Sequence, residues 1–308
     1  MFISLMKLYY SIRISRRRSY ENGNIDRRQD VRNLANNINC RGHIEPKASY
    51  IEQSRSVGEI ARMDRWAGKV AVVTGASAGI GAAIVKQLVS HGMVVAGLAR
   101  RVEKIKELEQ GLEECSGKLH AVECDVSKEE SVISAFAWVQ ENLGPASVLV
   151  NNAGMTKESS LIDGNLEDWH TVFDVNVFGL CLCTKEAIRM MREAGGEGVI
   201  INVNSLAGER VPFIPGFSVY PASKRAITAL AQTLRHELTG TQIRVTGISP
   251  GLVGTELMVS YSTYSEEALA SFPTLDPEDV ASAAIYILTC APHVVVQDIV
   301  LRPLGESW

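Results

Sequence analysis

The chain has 308 residues, 46% hydrophobic and 21% charged, the composition of a globular protein with a real core and not of a disordered or fibrous one. Its net charge of -4 hides an asymmetry, because residues 1–62 carry +6 and the rest of the chain -10. The acidic main body excludes an electrostatic case for nucleic acid, and no apolar stretch is long enough to span a bilayer.

In chain order, residues 1–20 mix apolar side chains with Lys7, Arg13, Arg16, Arg17 and Arg18 and contain no acid. That is the composition of a mitochondrial transit peptide. The favoured reading is instead a disordered or spurious extension over 1–62, since 20–62 is polar and irregular. Met63-Asp64-Arg65-Trp66 reads as a natural start ahead of the first strand. That places one domain at 63–308 in the cytoplasm; a genuine transit peptide would place it in the mitochondrion.

From Lys69 onward, strands and helices alternate. The pattern predicts a strand over 69–74, a helix over 80–91, a strand over 93–98 and a charged helix from 102 to about 114. A strand follows at 119–124, a helix at 129–143, a strand at 148–151 and a long helix around 169–194. The series closes with a strand at 198–203, a helix from near 218 to about 238, a strand at 244–248, a helix at 277–289 and a strand at 297–302. This alternation predicts an α/β protein: a single doubly wound, seven-stranded parallel sheet with helices on both faces. The six cysteines show no C-x-x-C pairing and fit a reducing compartment. The six histidines are scattered, so no metal site is expected.

The first strand runs into Gly75-Ala76-Ser77-Ala78-Gly79-Ile80-Gly81 and then a helix. Glycines at 75, 79 and 81 let a backbone approach a pyrophosphate, and the helix N-terminus offers N–H groups and positive dipole. A tight turn with no ligand is the competing meaning. An NAD-type turn expects an acid at the end of the second strand, but Ala99-Arg100-Arg101 stands there. Two guanidiniums suit a 2′-phosphate, which favours NADP(H), unless they only begin a solvated helix.

Tyr220 and Lys224 lie four apart near a helix start, so they share one face. A phenol with a pKa near 10 needs a neighbouring cation to work as an acid or base near neutral pH. With that cation it can exchange a proton with a carbonyl oxygen as hydride moves. Taken alone the pair would mean a packed tyrosine beside a surface lysine. Ser205 follows a strand, at the sheet edge where ligands of open sheets bind, and could hold the substrate oxygen. Asn204 beside it is a helper or a turn former. Asn176 sits inside the long helix, where a polar residue on an apolar face demands partners and a local bend.

Together these motifs resemble the short-chain dehydrogenase/reductase family, with its Rossmann-type fold, over about residues 66–304. The resemblance implies a dinucleotide-binding catalytic domain whose tetrad is Asn176, Ser205, Tyr220 and Lys224. Lys224 would also hold the nicotinamide ribose, and Asn176 a relay water. It implies cofactor contacts from Gly75, Ser77, Gly79, Ile80, Gly81, Arg100, Arg101, Asp125 and Val126. Asn152, Ala153, Gly154, Pro250, Gly251, Val253 and Thr255 would complete the cofactor site. Asn151 would line it as well and support the sheet. Asp64-Arg65-Trp66, Ala99-Arg100-Arg101 and Asp298-Ile299-Val300-Leu301-Arg302-Pro303 resemble the insect farnesol-dehydrogenase-like branch, whose vertebrate relatives reduce ketosteroids and carbonyls. The Ser205-to-Tyr220 loop is longer than the family's commonest spacing, and Asn204-Ser205 replaces its usual Ser-Ser.

The implied activity is NADP(H)-dependent hydride transfer on a small hydrophobic alcohol or carbonyl compound in a homodimer or homotetramer. Leu257, Met258, Val259, Tyr261, Tyr264 and Leu269, with Val211, Pro212, Phe213, Ile214 and Phe217, are the expected pocket. Packing into the domain or an oligomer interface competes for each of them. A protein that binds NADP(H) without catalysis is the alternative from another class.

Overall fold

The computed structural model describes residues 63–212, 214, 216–260 and 272–306. Residues 1–62, Phe213, Tyr261, Tyr264 and Leu269 lie outside these, as do the side chains of Val259 and Ser260. Seven strands form one sheet: β1 Val70–Thr74, β2 Val94–Ala99, β3 Lys118–Glu123, β4 Ala146–Asn151, β5 Gly198–Val203, β6 Ile243–Pro250 and β7 Asp298–Leu301. Every pairing is parallel and the order is β3-β2-β1-β4-β5-β6-β7. The winding reverses between β1 and β4, so their carboxyl ends open a crevice there.

Eight α-helices connect them among the described residues: α1 Gly79–Ser90, α2 Val102–Gln110, α3 Glu129–Asn142, α4 Leu166–Phe173, α5 Leu180–Glu193, α6 Tyr220–Glu237, α7 Glu256–Ser260 and α8 Pro277–Thr289. The inner strands are mostly apolar because helices cover both faces, although Asn151, Asn202, Arg244 and Thr246 are buried within them. Ala71, Val73, Val148 and Val150 pack with Ile84 and Leu88 of α1 and Val280 and Ile287 of α8. The alternate residues Val70, Val72 and Leu149 pack with Phe136 of α3 and Met190 of α5 on the opposite face. No described helix is long and apolar enough to cross a membrane.

Three local departures from the sequence reading have physical causes. The predicted helix around 169–194 is divided by a π-helical turn, Asp174–Gly179, between α4 and α5. Asn176 is drawn inward there by partners outside its own helix. Helix α2 ends at Gln110, before the poor helix former Gly111, and Ile105 is its one fully buried residue, with Leu108 packed half-buried against the core. Helix α6 starts at Tyr220 and not near 218, because Ser218 takes φ 38°, which a helix cannot continue through.

Trp66 shows why the segment ahead of β1 belongs to the domain. Its indole is 2% exposed, and Nε1 donates to the Leu288 carbonyl at the end of α8 (2.9 Å). Arg65 stacks on the same ring at 5.0 Å and donates to the carbonyls of Leu288 and Cys290. Trp66→Ala is expected to cost about 3–5 kcal/mol in chemical denaturation, since it leaves a cavity and removes one of the two donors to the Leu288 carbonyl.

Candidate active site

The crevice is built first by the ends of β1 and β4. Thr74 Oγ1 accepts from the backbone N–H groups of Asn152 and Ala153, each at 3.0 Å. The Asn152 side chain returns two bonds, to the carbonyls of Thr74 (3.0 Å) and Gly75 (3.1 Å). This stitch leaves no room for side chains in the turn. A Cβ on Gly75, at φ +65°, would lie 2.9 Å from Ala153 Cα. On Gly81 it would lie 2.3 Å from the Gly75 carbonyl oxygen. Gly81 is therefore buried behind the turn, whereas Ser77, Gly79 and Ile80 face the crevice. The N-cap of α1 is Ala78, which offers no capping side chain, so first-turn N–H groups are left for a ligand.

A continuous cleft of about 530 Å³ runs from this turn to Tyr220 and Met258. At one end it is lined by Arg100, Arg101, Asp125 and Val126. Asp125 Oδ1 accepts from the backbone (3.1 Å) and hydroxyl (2.7 Å) of Ser127. Burial acts to raise the Asp125 carboxyl, but the Ser127 hydrogen bonds and the nearby Arg100 and Lys128 charges outweigh it and hold its pKa low. Asn152, Ala153 and Gly154 form the middle of the wall. Asn151 does not line the cleft as expected. Its amide is buried, bonded to Thr184 Oγ1 (2.9 Å) and Asn202 Oδ1 (3.0 Å), and so braces neighbouring elements.

At the other end Tyr220 heads α6, held against Phe217 edge to face with ring centroids 5.1 Å apart. One turn on, Lys224 is 4% exposed, 5.7 Å from the Tyr220 ring centroid, and donates to the Val203 carbonyl at the end of β5 (3.1 Å). Burial pushes its ammonium down to about 8. Ser205 lines the same end, and its Oγ accepts from Ala207 N–H (3.1 Å). Asn204 Nδ2 donates to Thr228 Oγ1 (2.9 Å), which ties the strand end to α6.

Asn176 stands behind this wall. Its Oδ1 accepts from Met155 N–H (2.8 Å), and its Nδ2 donates to the Met155 carbonyl (2.8 Å) and to Ser223 Oγ (3.0 Å). Ser223 in turn donates to the Tyr220 carbonyl (2.7 Å). The sequence reading passed over Ser223, although its place between Tyr220 and Lys224 on a buried helix was a signal.

The depressed lysine has a consequence for stability. Between pH 8 and 10.5 the unfolded chain holds the Lys224 proton that the folded chain has lost. The cost of burying this charge is therefore complete below about pH 8 and relieved as pH rises towards 10.5. Relative to Lys224→Met, the wild-type protein without added cofactor is expected to gain stability across that window, as measured by denaturant midpoints against pH.

The segment after β6 closes the cleft. Gly251 N–H donates to the Leu301 carbonyl (2.7 Å), and Leu252 N–H to Glu306 Oε1 (3.2 Å). The Glu306 side chain is 1% exposed and paired with Arg302 Nε at 2.6 Å. This pin on the loop was also missed in the sequence, where it looks like a terminal charge. Pro250, Gly251, Val253 and Thr255 all line the cleft. Of the expected pocket residues, Pro212, Ile214, Phe217, Leu257 and Met258 line it, whereas Val211 is 79% exposed and does not. Arg210 lines it too, unanticipated. No group of three or more His, Cys, Asp or Glu that could hold a metal occurs among the described residues.

Comparison with known proteins follows from this geometry. A family model described as short chain dehydrogenase matches residues 69–265. Farnesol dehydrogenase of Aedes aegypti is 46% identical over 250 residues, covering 80% of this chain and all of the relative. Dehydrogenase/reductase SDR family member 11 of Mus musculus is 43% identical, covering 80% of this chain and 98% of the relative. An alcohol dehydrogenase of Thermococcus sibiricus, solved with 5-hydroxy-NADP, superposes with TM-score 0.69 at 30% identity, covering 78% of this chain and 98% of that one.

Proposed function

We propose, from the premise that this chain belongs to the short chain dehydrogenase family and is an oxidoreductase acting on alcohol groups, that it works with NADP(H) on hydrophobic alcohols and the matching carbonyls. Farnesol and its aldehyde are the first substrate pair. The observation that carries the reading is one cleft with Arg100 and Arg101 at one end and Tyr220, backed by buried Lys224, at the other.

The residues present fit a dinucleotide. Glycines 75 and 79, at φ +65° and +53°, leave the backbone bare beside an uncapped helix N-terminus, which suits a pyrophosphate. Asp125 has its Oδ1 engaged by Ser127, and its carboxylate would accept from an adenine amino group. Arg100 and Arg101 would take a 2′-phosphate. Gly251, Val253 and Thr255 would hold the carboxamide end. When bound, the nicotinamide supplies the acceptor or donor of the hydride.

The chain's own part is to hold the substrate oxygen and move its proton. Ser205 offers a hydroxyl to that oxygen. Tyr220 gives the oxygen a proton in carbonyl reduction and takes one from it in alcohol oxidation. The Lys224 ammonium stabilises the phenolate form, and the same group would also bond a ribose hydroxyl of the cofactor. Asn176, its side chain bonded to Met155 and Ser223, would hold a relay water, as the family resemblance implies. Apolar Ile214, Phe217, Leu257 and Met258 suit a lipophilic chain or ring. The family resemblance supports a homodimer or homotetramer, and we place the catalytic domain at 63–308 in the cytoplasm.

The test is a comparison of kcat/KM for farnesol, a ketosteroid and a dicarbonyl, each with both cofactors. The expected order puts farnesol with NADP+ first, with NADP(H) favoured over NAD(H) by about tenfold or more. Preference for NAD(H) would remove the role given to Arg100 and Arg101. Faster ketosteroid or dicarbonyl reduction would move the substrate class to the second candidate.

A further inference from the structure

Glu256 was no part of the sequence reading, yet it sits where the cofactor's phosphates would be counted. It is the first residue of α7, immediately after Thr255, and it lines the cleft. Its carboxylate reaches back to the opposite wall. Oε2 pairs with Arg101 Nη2 at 2.9 Å, and Oε1 with Lys104 Nζ at 2.9 Å. The same Arg101 Nη2 is also 3.4 Å from Ser77 Oγ in the Gly-rich turn. The two walls touch beneath this clasp, since a Cβ on Gly79 would lie 3.0 Å from the Thr255 methyl carbon. Arg101 and Glu256 are 51% and 56% exposed, so the pair can open without unfolding anything.

We propose that Glu256 competes with the cofactor's 2′-phosphate for Arg101, and so limits how strongly the site prefers NADP(H) over NAD(H). The proposal rests on the NADP(H) reading above. A 2′-phosphate brings close to two negative charges and needs the guanidinium that Glu256 holds. To bind, it must displace the carboxylate or lie beside it, and two anions a few ångströms apart repel. Lys104 can keep Glu256 after Arg101 leaves, which makes the exchange affordable. A 2′-hydroxyl makes no such demand on Arg101, so NAD(H) should be indifferent to Glu256. The carboxylate is held below its ordinary pKa by hydrogen bonds from Lys104 and Arg101, which keeps the competitor charged at neutral pH.

The experiment measures Kd for NADPH and for NADH by nicotinamide fluorescence, in the full chain. The variants are Glu256→Gln, Arg101→Ala and the double variant. Glu256→Gln is expected to tighten NADPH about fivefold, the size an exposed ion pair supports, and to leave NADH within about twofold. Arg101→Ala is expected to weaken NADPH about tenfold or more and NADH little. In the double variant most of the gain from Glu256→Gln should vanish, because the contested partner is gone. A helix or loop defect would move both cofactors together and would overturn the proposal. An unchanged or lowered NADPH preference in Glu256→Gln, with Arg101→Ala still weakening NADPH and not NADH, would also overturn it while leaving the NADP(H) reading intact. Equal effects of Arg101→Ala on both cofactors would overturn the two together.

Discussion

Tyr220→Phe is expected to lower kcat by about a thousandfold while NADPH affinity stays within about threefold of wild type. The change removes one oxygen from a ring that is 8% exposed and packed edge to face on Phe217. The helix start, with Pro221 in its first turn, does not depend on that oxygen. Nor do the bonds from Lys224 to Val203 or from Ser223 to the Tyr220 carbonyl. These contacts therefore survive the change, and what is removed is the group proposed to move the proton. Steady-state rates beside a fluorescence titration of NADPH separate the two effects. Retained turnover would mean another group moves the proton. If wild type and variant are both inactive yet bind NADPH, the protein is a cofactor-binding protein without catalysis.

Gly81→Val is expected to destabilise the domain by about 3 kcal/mol or more and to weaken NADPH by about a hundredfold. A Cβ at this position would lie 2.3 Å from the Gly75 carbonyl oxygen and 2.5 Å from Asn152 Nδ2. Gly75 is main chain, and Asn152 is the stitch that binds the ends of β1 and β4, so neither can yield without opening the turn. Gly111→Ala is the control, since its Cβ would meet nothing closer than Leu108 O at 3.5 Å. It should bind NADPH as wild type does and melt at nearly the same temperature. A stable, cofactor-binding Gly81→Val would show that the turn does not set the phosphate site.

How much of this could be read in advance depended on how local its cause was. Strand β5 and helix α8 start where expected because Gly198 and Pro277 mark their first residues. The alternation of strands and helices carried the sheet's parallel pairing. The π-turn was legible only as a need: Asn176 required partners, but the partner proved to be Met155, 21 residues away, reached by folding alone. Glu306 carried no signal in the sequence, because only folding brings it to the Leu252 N–H. Glu256 and Arg101 are distant in sequence and meet only because the cleft closes between them. Exposed charges carry no periodicity, so such pairs are silent in a linear reading. Of the two roles expected of Asn151, its side chain takes the one in the sheet, bonded to Asn202, while Asn152, Ala153 and Gly154 after it face the cleft.

The central claim is that hydride passes directly between substrate carbon and nicotinamide in this cleft. The most direct measurement uses farnesol with both hydrogens of its carbinol carbon replaced by deuterium, NADP+ and the purified chain. Mass spectrometry then reads the reduced cofactor. The account predicts one deuterium in each NADPH formed, matched by one molecule of aldehyde, with none formed by Tyr220→Phe. Reduced cofactor without label, or aldehyde formed without reduced cofactor, would contradict it.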